Sequence, residues 1–255
     1  MFNDRINYKR ERVVRILAHF NNGNIGNGSG FFINDSGQLL TCFHVVFGGE
    51  LKNIRTDQDF TSIVDDNEHL RLQKWFKNKI KKIEVGFPDG SKKELDLQKY
   101  DEKFDIALLK LKDDRSVNKI KYCQLDFSTT LKQGDSIFFA GFPICYSYKD
   151  TETPFAINTG IVSSFPKTII GGERYKHIQI NSINLGGNSG APLFRKNRNK
   201  VIGIINGNMN LGKDTLVSQD KNGKQTVGPL RIPLGIAYAT SLKTIKHNTL
   251  IFELD

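Results

Sequence analysis

A single serine, Ser189, stands in a stretch whose composition suits the display of a nucleophile. Residues 184–194 read NLGGNSGAPLF, a run of glycines between two apolar segments. Gly186, Gly187 and Gly190 permit positive φ angles and close approach of the backbone. Such a loop can aim consecutive N–H groups at one point beside the Ser189 hydroxyl, as an oxyanion pocket requires. A glycine-rich turn between two strands has the same composition, so this stretch alone leaves both interpretations open.

A serine nucleophile needs a base and an acid that orients the base, and His44 and Asp105 are candidates for these roles. His44 lies in TCFHVV, between apolar neighbours that can fix the orientation of its ring. A buried histidine whose ring bonds a backbone carbonyl would have the same surroundings. Asp105 opens the apolar run FDIALLKL, either as a solvated strand-end residue or as a buried acid held for a partner.

The order in which these residues occur along the chain favours one class of catalytic arrangement. His44, Asp105 and Ser189 follow one another as in chymotrypsin-type enzymes, not as in subtilisins or α/β-hydrolases. In that chemistry Ser189 attacks, His44 acts as base and then as acid, and Asp105 fixes the imidazole tautomer and stabilises the imidazolium. The N–H groups of Gly187 and Ser189 would stabilise the oxyanion.

Longer segments carry a family resemblance. GSGFFINDSGQLLTCFHVV and FDIALLKL, followed by GDSIFFAGFP, NTGIVSS, GGNSGAPLF and VIGII, occur in this order along the chain. With these segments the chain resembles the trypsin-like serine proteases of the chymotrypsin fold, and in particular the bacterial Do-type (HtrA) protease domain. The resemblance implies two six-stranded antiparallel β-barrels with the active site in the cleft between them.

The resemblance also implies which residues contact a substrate. Ile183, six residues before the serine, matches the floor of the pocket for the side chain that precedes the scissile bond. An isoleucine floor cannot pair with Lys or Arg, so we expect a small or medium apolar residue there. The strand edge against which an extended peptide would pair by β-addition comprises Ile205, Asn206, Gly207 and Asn208.

The chain departs from the family pattern at several points. Ala191 stands where the motif usually has a second glycine, a small change that leaves Gly187 and Ser189 in place. Asn188 replaces the aspartate that digestive zymogens pair with a newly cut N-terminus, so we expect no activation of that kind. We also expect no PDZ domain after the barrels. A helical insertion at residues 66–82, where apolar residues recur at offsets of three and four, is unlike the family core.

Short strands separated by Gly, Pro, Asn and Lys turns, beginning with a strand predicted at Val13–Phe20, are typical of a sandwich or a barrel. Together with the resemblance they predict an all-β fold with a short C-terminal helix. We assign residues 1–117 to the barrel with His44 and Asp105, 118–130 to a linker, and 131–255 to the barrel with Ser189. Residues 208–233 are expected to form a long loop before the last strand, and 21–30 a turn-rich link.

Composition is that of an ordinary globular protein, with 25% charged and 38% apolar residues in 255. A net charge of +10 favours acidic partners. Because the basic residues are spread along the chain, apart from small clusters at 77–82 and 195–200, we expect no specific nucleic-acid binding.

The cysteines and the N-terminus bear on the cellular setting. Cys42, Cys123 and Cys145 are odd in number and form no CxxC pair, which favours reduced thiols over a disulfide framework or a zinc site. Charged residues occupy the N-terminus where a secretory signal would need an apolar core, and no apolar span long enough for a membrane helix occurs. We therefore expect a cytoplasmic protein without membrane contacts, metal or other cofactor.

Three functional hypotheses follow. The first is an intracellular serine endopeptidase that acts on a restricted set of protein substrates, with a regulatory protein partner or a lid restricting it. The second is a catalytically silent module that keeps the fold and binds peptides or a protein partner in the cleft; three intact chemical positions argue against it. The third is a role linked to nucleic acid through the +10 charge, which steep salt dependence of binding would reveal.

Overall fold

A computed structural model of the chain describes residues 10–48, 74, 76, 78–87, 90–113, 120–144, 154–170, 173–211, 215–219, 225–229, 232–248 and 251. Sixteen strands lie in this part of the chain. In order they are β1 (Val13–Phe20), β2 (Ile25–Phe32), β3 (Gln38–Thr41), β4 (Ile80–Gly86), β5 (Lys92–Asp101), β6 (Ile106–Leu111), β7 (Ser136–Gly141), β8 (Ala156–Ser164), β9 (Lys167–Ile170), β10 (Glu173–Lys176), β11 (Ile178–Asn181), β12 (Pro192–Arg195), β13 (Val201–Leu211), β14 (Thr215–Gln219), β15 (Gln225–Pro229) and β16 (Ile232–Ser241).

Twelve of these strands form two closed antiparallel barrels of six strands each. The first has the order β1-β2-β3-β6-β5-β4 and closes where β1 pairs with β4; the second has the order β11-β16-β13-β12-β7-β8 and closes where β11 pairs with β8. The predicted all-β fold with two six-stranded barrels is confirmed. Two short helices, Phe43–Phe47 and Leu242–Asn248, complete the described elements with assigned bounds, and the second lies within the predicted C-terminal helix.

Apolar strands explain why the barrels form and why they pack together. In β6, which reads IALLKL, four successive residues are buried, so the strand faces the barrel interior on one side and other protein on the opposite side. One cluster of buried apolar residues runs from the first barrel into the second, where it includes Phe138, Phe142 and Phe194. The cleft between the barrels therefore rests on a shared apolar core. Among the described residues no helix is long and apolar enough to cross a lipid bilayer.

Residues 120–130, which belong to the predicted linker, are bonded to both barrels. The Cys123 N–H donates to the Phe32 carbonyl of the first barrel at 2.8 Å. On the other side, the Asp126 N–H donates to the Val201 carbonyl and the Val201 N–H to the Gln124 carbonyl, both at 2.8 Å. This segment ties the barrels together by backbone bonds, while the domain boundaries assigned from the sequence stay a prediction.

The structure corrects the sequence-based elements in three places. The predicted helix at 66–82 extends too far, because β4 begins at Ile80; residues 74, 76, 78 and 79 are helical, and residues 66–73, 75 and 77 lie outside the described residues. The expected long loop at 208–233 is wrong, since β13 continues to Leu211 and a two-stranded sheet of β14 and β15 follows. The turn-rich link is wrong from Ile25 onward, where β2 begins.

Candidate active site

His44 is carried by a five-residue helix, Phe43–Phe47, that follows β3. The other four residues of this helix are buried, and its two phenylalanine rings stack with their centroids 4.1 Å apart. Gly48 ends the helix with φ at 73° and donates its N–H to the His44 carbonyl. With its neighbours fixed in the core, the imidazole faces outward, and 44% of the His44 side chain is exposed. The sequence analysis placed His44 between apolar neighbours but missed the helix.

Asp105 occupies the turn between β5 and β6 in an uncommon backbone conformation. Its φ is 54°, in the left-handed region that residues with a Cβ seldom adopt. Hydrogen bonds hold the turn: the Phe104 N–H donates to the Asp101 carboxylate at 3.0 Å, and the Asp105 N–H donates to the Glu102 carbonyl at 3.1 Å. Such a conformation persists where the surrounding structure enforces it, and functional sites are where it concentrates.

The structure brings His44 and Asp105 together. The Asp105 carboxylate lies 2.8 Å (Oδ2) and 3.0 Å (Oδ1) from His44 Nδ1, and Oδ1 also accepts the His44 backbone N–H at 3.0 Å. A carboxylate accepts hydrogen bonds, so this contact places the imidazole proton on Nδ1. His44 Nε2 is then left with its lone pair, which is what a general base needs.

The Ser189 loop depends on two glycines in the left-handed region, Gly187 (φ 94°) and Gly190 (φ 87°). A Cβ on Gly187 would collide with the Phe142 carbonyl, and one on Gly190 with the Ser29 carbonyl. Only glycine fits at either position. The positive φ angles and the close backbone approach that the sequence predicts for this loop are therefore present.

Two peptide groups of this loop have anchored carbonyls. The Gly186 carbonyl accepts the Ile144 N–H at 2.7 Å, and the Asn188 carbonyl accepts the Ala191 N–H at 2.9 Å. In a planar trans peptide the N–H points opposite to the C=O. The N–H groups of Gly187 and Ser189 therefore point away from these anchors, and they donate to no group within the described part of the chain. This is the arrangement that oxyanion donors require.

Ser29 is a site residue that the sequence analysis missed. Its side chain is fully buried, and its Oγ donates to the Gly187 carbonyl at 2.7 Å and accepts the Phe142 N–H at 2.9 Å. Its own N–H donates to the Ser189 carbonyl at 2.8 Å. Ser29 of the first barrel thus holds the serine loop of the second. The available signal was a hydroxyl residue within GSGFF, at the start of a buried run.

Cys42, two residues before His44, has a second contact across the barrels. The Ile205 carbonyl accepts both the Cys42 thiol at 3.2 Å and the Gly190 N–H at 2.8 Å. The residue after Ser189 and the residue before the His44 helix therefore meet at one carbonyl group. The sequence analysis gave this thiol no role in the site, and its proximity to His44 in TCFHVV was the signal that it contacts the site.

One group of side chains among the described residues has the composition of a metal site. Atoms of Cys42, His44 and Asp105 lie within 4.8 Å of one another. Burial, followed by the nearby Asp105 carboxylate, raises the pKa of the Cys42 thiol well above its usual range. Metals bind the thiolate, so a neutral Cys42 is a poor ligand. The expectation of a metal-free, cofactor-free site stays a prediction.

The predicted substrate-binding residues lie beside the Ser189 loop. The Ile183 side chain is 60% exposed and Leu185 is 37% exposed. The Ile205 side chain is fully buried, and its backbone N–H and C=O groups bond Ala191, Gly190 and Cys42. The Asn206 amide donates to Thr240 Oγ1 at 2.7 Å. The structure places Ile205, Asn206, Gly207 and Asn208 on β13, paired with β16 on one side. Their roles in binding a peptide stay a prediction.

Comparison with known proteins identifies the family. The sequence profile of the trypsin-like peptidase domain matches residues 28–204, more than half of the chain. The chain belongs to this family of serine hydrolases. The matched region includes His44, Asp105 and Ser189.

Curated relatives of this trypsin-like peptidase are named as proteases. It is 29% identical to putative protease Do-like 14 of Arabidopsis thaliana over 69% of its length and 28% identical to serine protease HTRA1 of Xenopus laevis over 82%. It is 32% identical to a probable periplasmic DegP-like serine endoprotease of Buchnera aphidicola over 50% of its length. The chain spans only 34%, 38% and 25% of these three relatives, respectively. The predicted resemblance to trypsin-like and Do-type proteases is confirmed.

Proposed function

We propose that this chain is a serine endopeptidase that hydrolyses peptide bonds in protein substrates through an acyl-enzyme. One observation carries the proposal. The Asp105 carboxylate holds His44 Nδ1 at 2.8 Å, while the adjoining Ser189 loop presents two N–H groups without a protein acceptor among the described residues. A base and an oxyanion pocket are the two groups that acyl transfer to a serine requires.

The reaction would proceed in two halves. The Ser189 hydroxyl oxygen attacks the scissile carbonyl carbon while His44 Nε2 takes the hydroxyl proton. The carbonyl oxygen becomes an oxyanion that accepts from the N–H groups of Gly187 and Ser189. When the intermediate collapses, the C–N bond breaks and His44 gives its proton to the leaving amine. Water then attacks the ester with His44 again as base, which releases the carboxylic acid and restores Ser189.

A fluorophosphonate probe tests this proposal without knowledge of the substrate. We expect covalent labelling at Ser189, located by peptide mass spectrometry, and no labelling of the Ser189→Ala or His44→Ala proteins. Ser36→Ala, which removes an exposed turn hydroxyl bonded to Asn34, is the matched control and should label like the wild type. A folded wild-type protein that resists the probe, both purified and in cell lysate, would favour the silent peptide-binding module instead.

The proposal extends to a preference for small or medium apolar side chains before the scissile bond. Support comes from Ile183 and Leu185, which expose apolar surface next to the Ser189 loop and offer a substrate no charge. We expect Ile183→Asp to shift cleavage of a peptide library toward Lys and Arg by at least about tenfold, because a carboxylate at this point can pair with a cation. Unchanged cleavage sites would show that another residue sets the preference.

The cytoplasm is the proposed location of this activity, and proteins or peptides are its proposed partners. Cys42 and Cys123 are buried and form no disulfide bond within the described part of the chain, which suits a protein that folds under reducing conditions. Fractionation of cells that produce the full-length protein would test the location, and recovery with periplasmic or secreted markers would contradict it.

A regulatory partner is proposed for the β14 and β15 hairpin, which pairs with no barrel strand among the described residues. Replacing residues 215–229 by a Gly-Ser link should abolish cross-linking to that partner but leave probe labelling unchanged.

A further inference from the structure

The hairpin of β9 and β10 reaches from the second barrel to the Asp105 turn of the first. It interrupts the second barrel between β8 and β11 and forms its own two-stranded sheet. In β10 the side chains of Arg174 and Lys176 are exposed, whereas Tyr175 between them is only 7% exposed. This alternation shows that the hairpin docks through Tyr175.

Tyr175 contacts both residues that precede Asp105. Its ring meets the Phe104 ring edge-on, with centroids 5.0 Å apart and an interplanar angle of 87°. The Lys103 ammonium donates to the Tyr175 hydroxyl at 2.8 Å and lies 4.4 Å from the centre of the Tyr175 ring. Edge-on aromatic pairs and cations over aromatic rings are both favourable contacts. Tyr175 therefore holds the chain immediately before Asp105 by an apolar contact and a polar one.

The backbone at Asp105 needs such support. Its φ of 54° is strained for an aspartate, and the Phe104 and Asp105 N–H groups donate hydrogen bonds within this turn. A small rotation at this residue would move the carboxylate away from His44 Nδ1, since the carboxylate lies at the end of the side chain. We infer that Tyr175 is a positioning residue, which fixes the 103–105 segment so that Asp105 keeps His44 in the tautomer that carries its proton on Nδ1. This inference rests on the proposed endopeptidase function.

The test compares two substitutions of Tyr175 with a matched change elsewhere in the protein. Tyr175→Leu removes the ring and the hydroxyl, and Tyr175→Phe removes the hydroxyl alone. Phe87→Leu is the control, because the Phe87 ring stacks on Phe32 at 6.1 Å rather than on the Asp105 turn. Two readouts are needed: kcat and KM on a cleaved peptide, and the downfield proton NMR signal of the His44 Nδ1–H bonded to Asp105.

For Tyr175→Leu we expect kcat to fall about 10- to 100-fold with KM within about twofold, because misplacement of a catalytic group by about 1 Å has effects of this size. The downfield signal should broaden or disappear. Tyr175→Phe should lose roughly threefold in kcat and keep the signal, and Phe87→Leu should change neither readout. A folded Tyr175→Leu protein with wild-type kcat and an intact signal would overturn the inference.

A second variant and the NMR readout keep the inference testable where the first comparison fails. If Tyr175→Leu does not fold, the double variant Tyr175→Phe with Lys103→Met keeps the ring pair and removes the polar contact. It should show a roughly 3- to 10-fold lower kcat and a weakened signal, and wild-type values in both would again overturn the inference. If the wild type cleaves nothing, the proposed function fails but the NMR comparison still decides whether Tyr175 positions Asp105.

Discussion

The first barrel holds His44 and Asp105 mainly through side chains, whereas the second holds Ser189 mainly through its backbone. Buried phenylalanines fix the His44 helix, and the Asp105 carboxylate bonds the ring. Around Ser189, by contrast, glycines at φ 94° and 87° and a set of carbonyl anchors shape the loop. The difference implies that single side-chain changes can disable the base while leaving the serine loop intact. The loop itself is vulnerable to added Cβ atoms and to loss of Ser29.

The largest effect should follow from removing the charge on Asp105. We expect Asp105→Asn to lower kcat by about 10⁴-fold, because the amide favours the wrong imidazole tautomer. KM should change little, since the predicted substrate-binding residues belong to the other barrel. The unfolding midpoint in urea should also change little, since asparagine has the same shape and tolerates the left-handed φ of this position. Steady-state kinetics and urea unfolding measure both. A loss of less than tenfold in kcat would show that the 2.8 Å contact with His44 does not support the base.

Breaking the serine loop by an added methyl group should have the next largest effect. Gly190→Ala would place a Cβ against the Ser29 carbonyl and Thr41 Oγ1, so we expect kcat to fall about 10²-fold and the protein to lose stability. Gly134→Ala is the matched control, since Gly134 has a similar φ of 84° and no atom within 4 Å of an added Cβ. It should cost only the backbone strain, about 1 kcal/mol. Equal kinetics for the two variants would contradict the proposed role of close packing.

A smaller effect is expected from the contact that links the two halves of the site. Ser29→Ala leaves the Gly187 carbonyl and the Phe142 N–H without their side-chain partner in a buried setting. We expect a loss of about 2 kcal/mol in unfolding free energy and roughly tenfold in kcat. Ser163→Ala, which removes one bond to the Gln179 carbonyl, is a control that should leave kcat unchanged. A Ser29→Ala protein with wild-type kcat would show that the loop needs no support from the first barrel.

The smallest effect is expected from Asp126, in the segment between the barrels. Only the stability of the protein should change. Burial by itself would raise the pKa of Asp126, but four hydrogen bonds from Ser128 and Thr129 outweigh it and hold the pKa well below its usual range. A carboxyl group with a depressed pKa stabilises the fold above its unfolded pKa of about 3.9, and this stabilisation is lost as the pH falls toward the folded value.

Asp126→Asn should therefore lower the unfolding free energy at pH 7 by about 1 kcal/mol, a figure limited by solvent screening of the partly exposed carboxylate. Urea unfolding at pH 7 and pH 3 should show the difference from wild type shrinking at the lower pH. The kcat at pH 7 should stay unchanged. A difference that is constant with pH would mean that the hydrogen bonds do not favour the ionised form.

How much of the fold can be predicted from the sequence depends on whether the residues that determine an element lie within that element. The apolar pattern of Val13–Phe20 gives β1 with its correct bounds, because the residues that form the strand also carry the signal. The glycines of β2 were interpreted as turn residues, but Gly28 and Gly30 are needed for packing: an added Cβ would lie 2.5 Å from Val45 and 3.0 Å from Ile16. That requirement comes from distant parts of the chain.

The site shows the same limit. His44, Asp105 and Ser189 were identified from their types, order and family resemblance, and the structure places the first two in contact. The supporting residues Ser29, Cys42 and Tyr175 were missed, because each acts through a contact with the other barrel. The positive φ of Asp105 was missed as well, since nothing in FDIALLKL signals the turn that enforces it.

The most direct test of the account is to trap the covalent intermediate. A peptide ester mixed with the protein and quenched within milliseconds should leave an acyl group on Ser189, identified by peptide mass spectrometry. An ester favours accumulation, because its alcohol leaves more readily than an amine, so that the acyl group forms faster than water removes it. We predict the adduct in the wild type, far less in Asp105→Asn, and none in Ser189→Ala. Cleavage of the ester with no adduct on Ser189, or with an equal adduct in Asp105→Asn, would contradict the account.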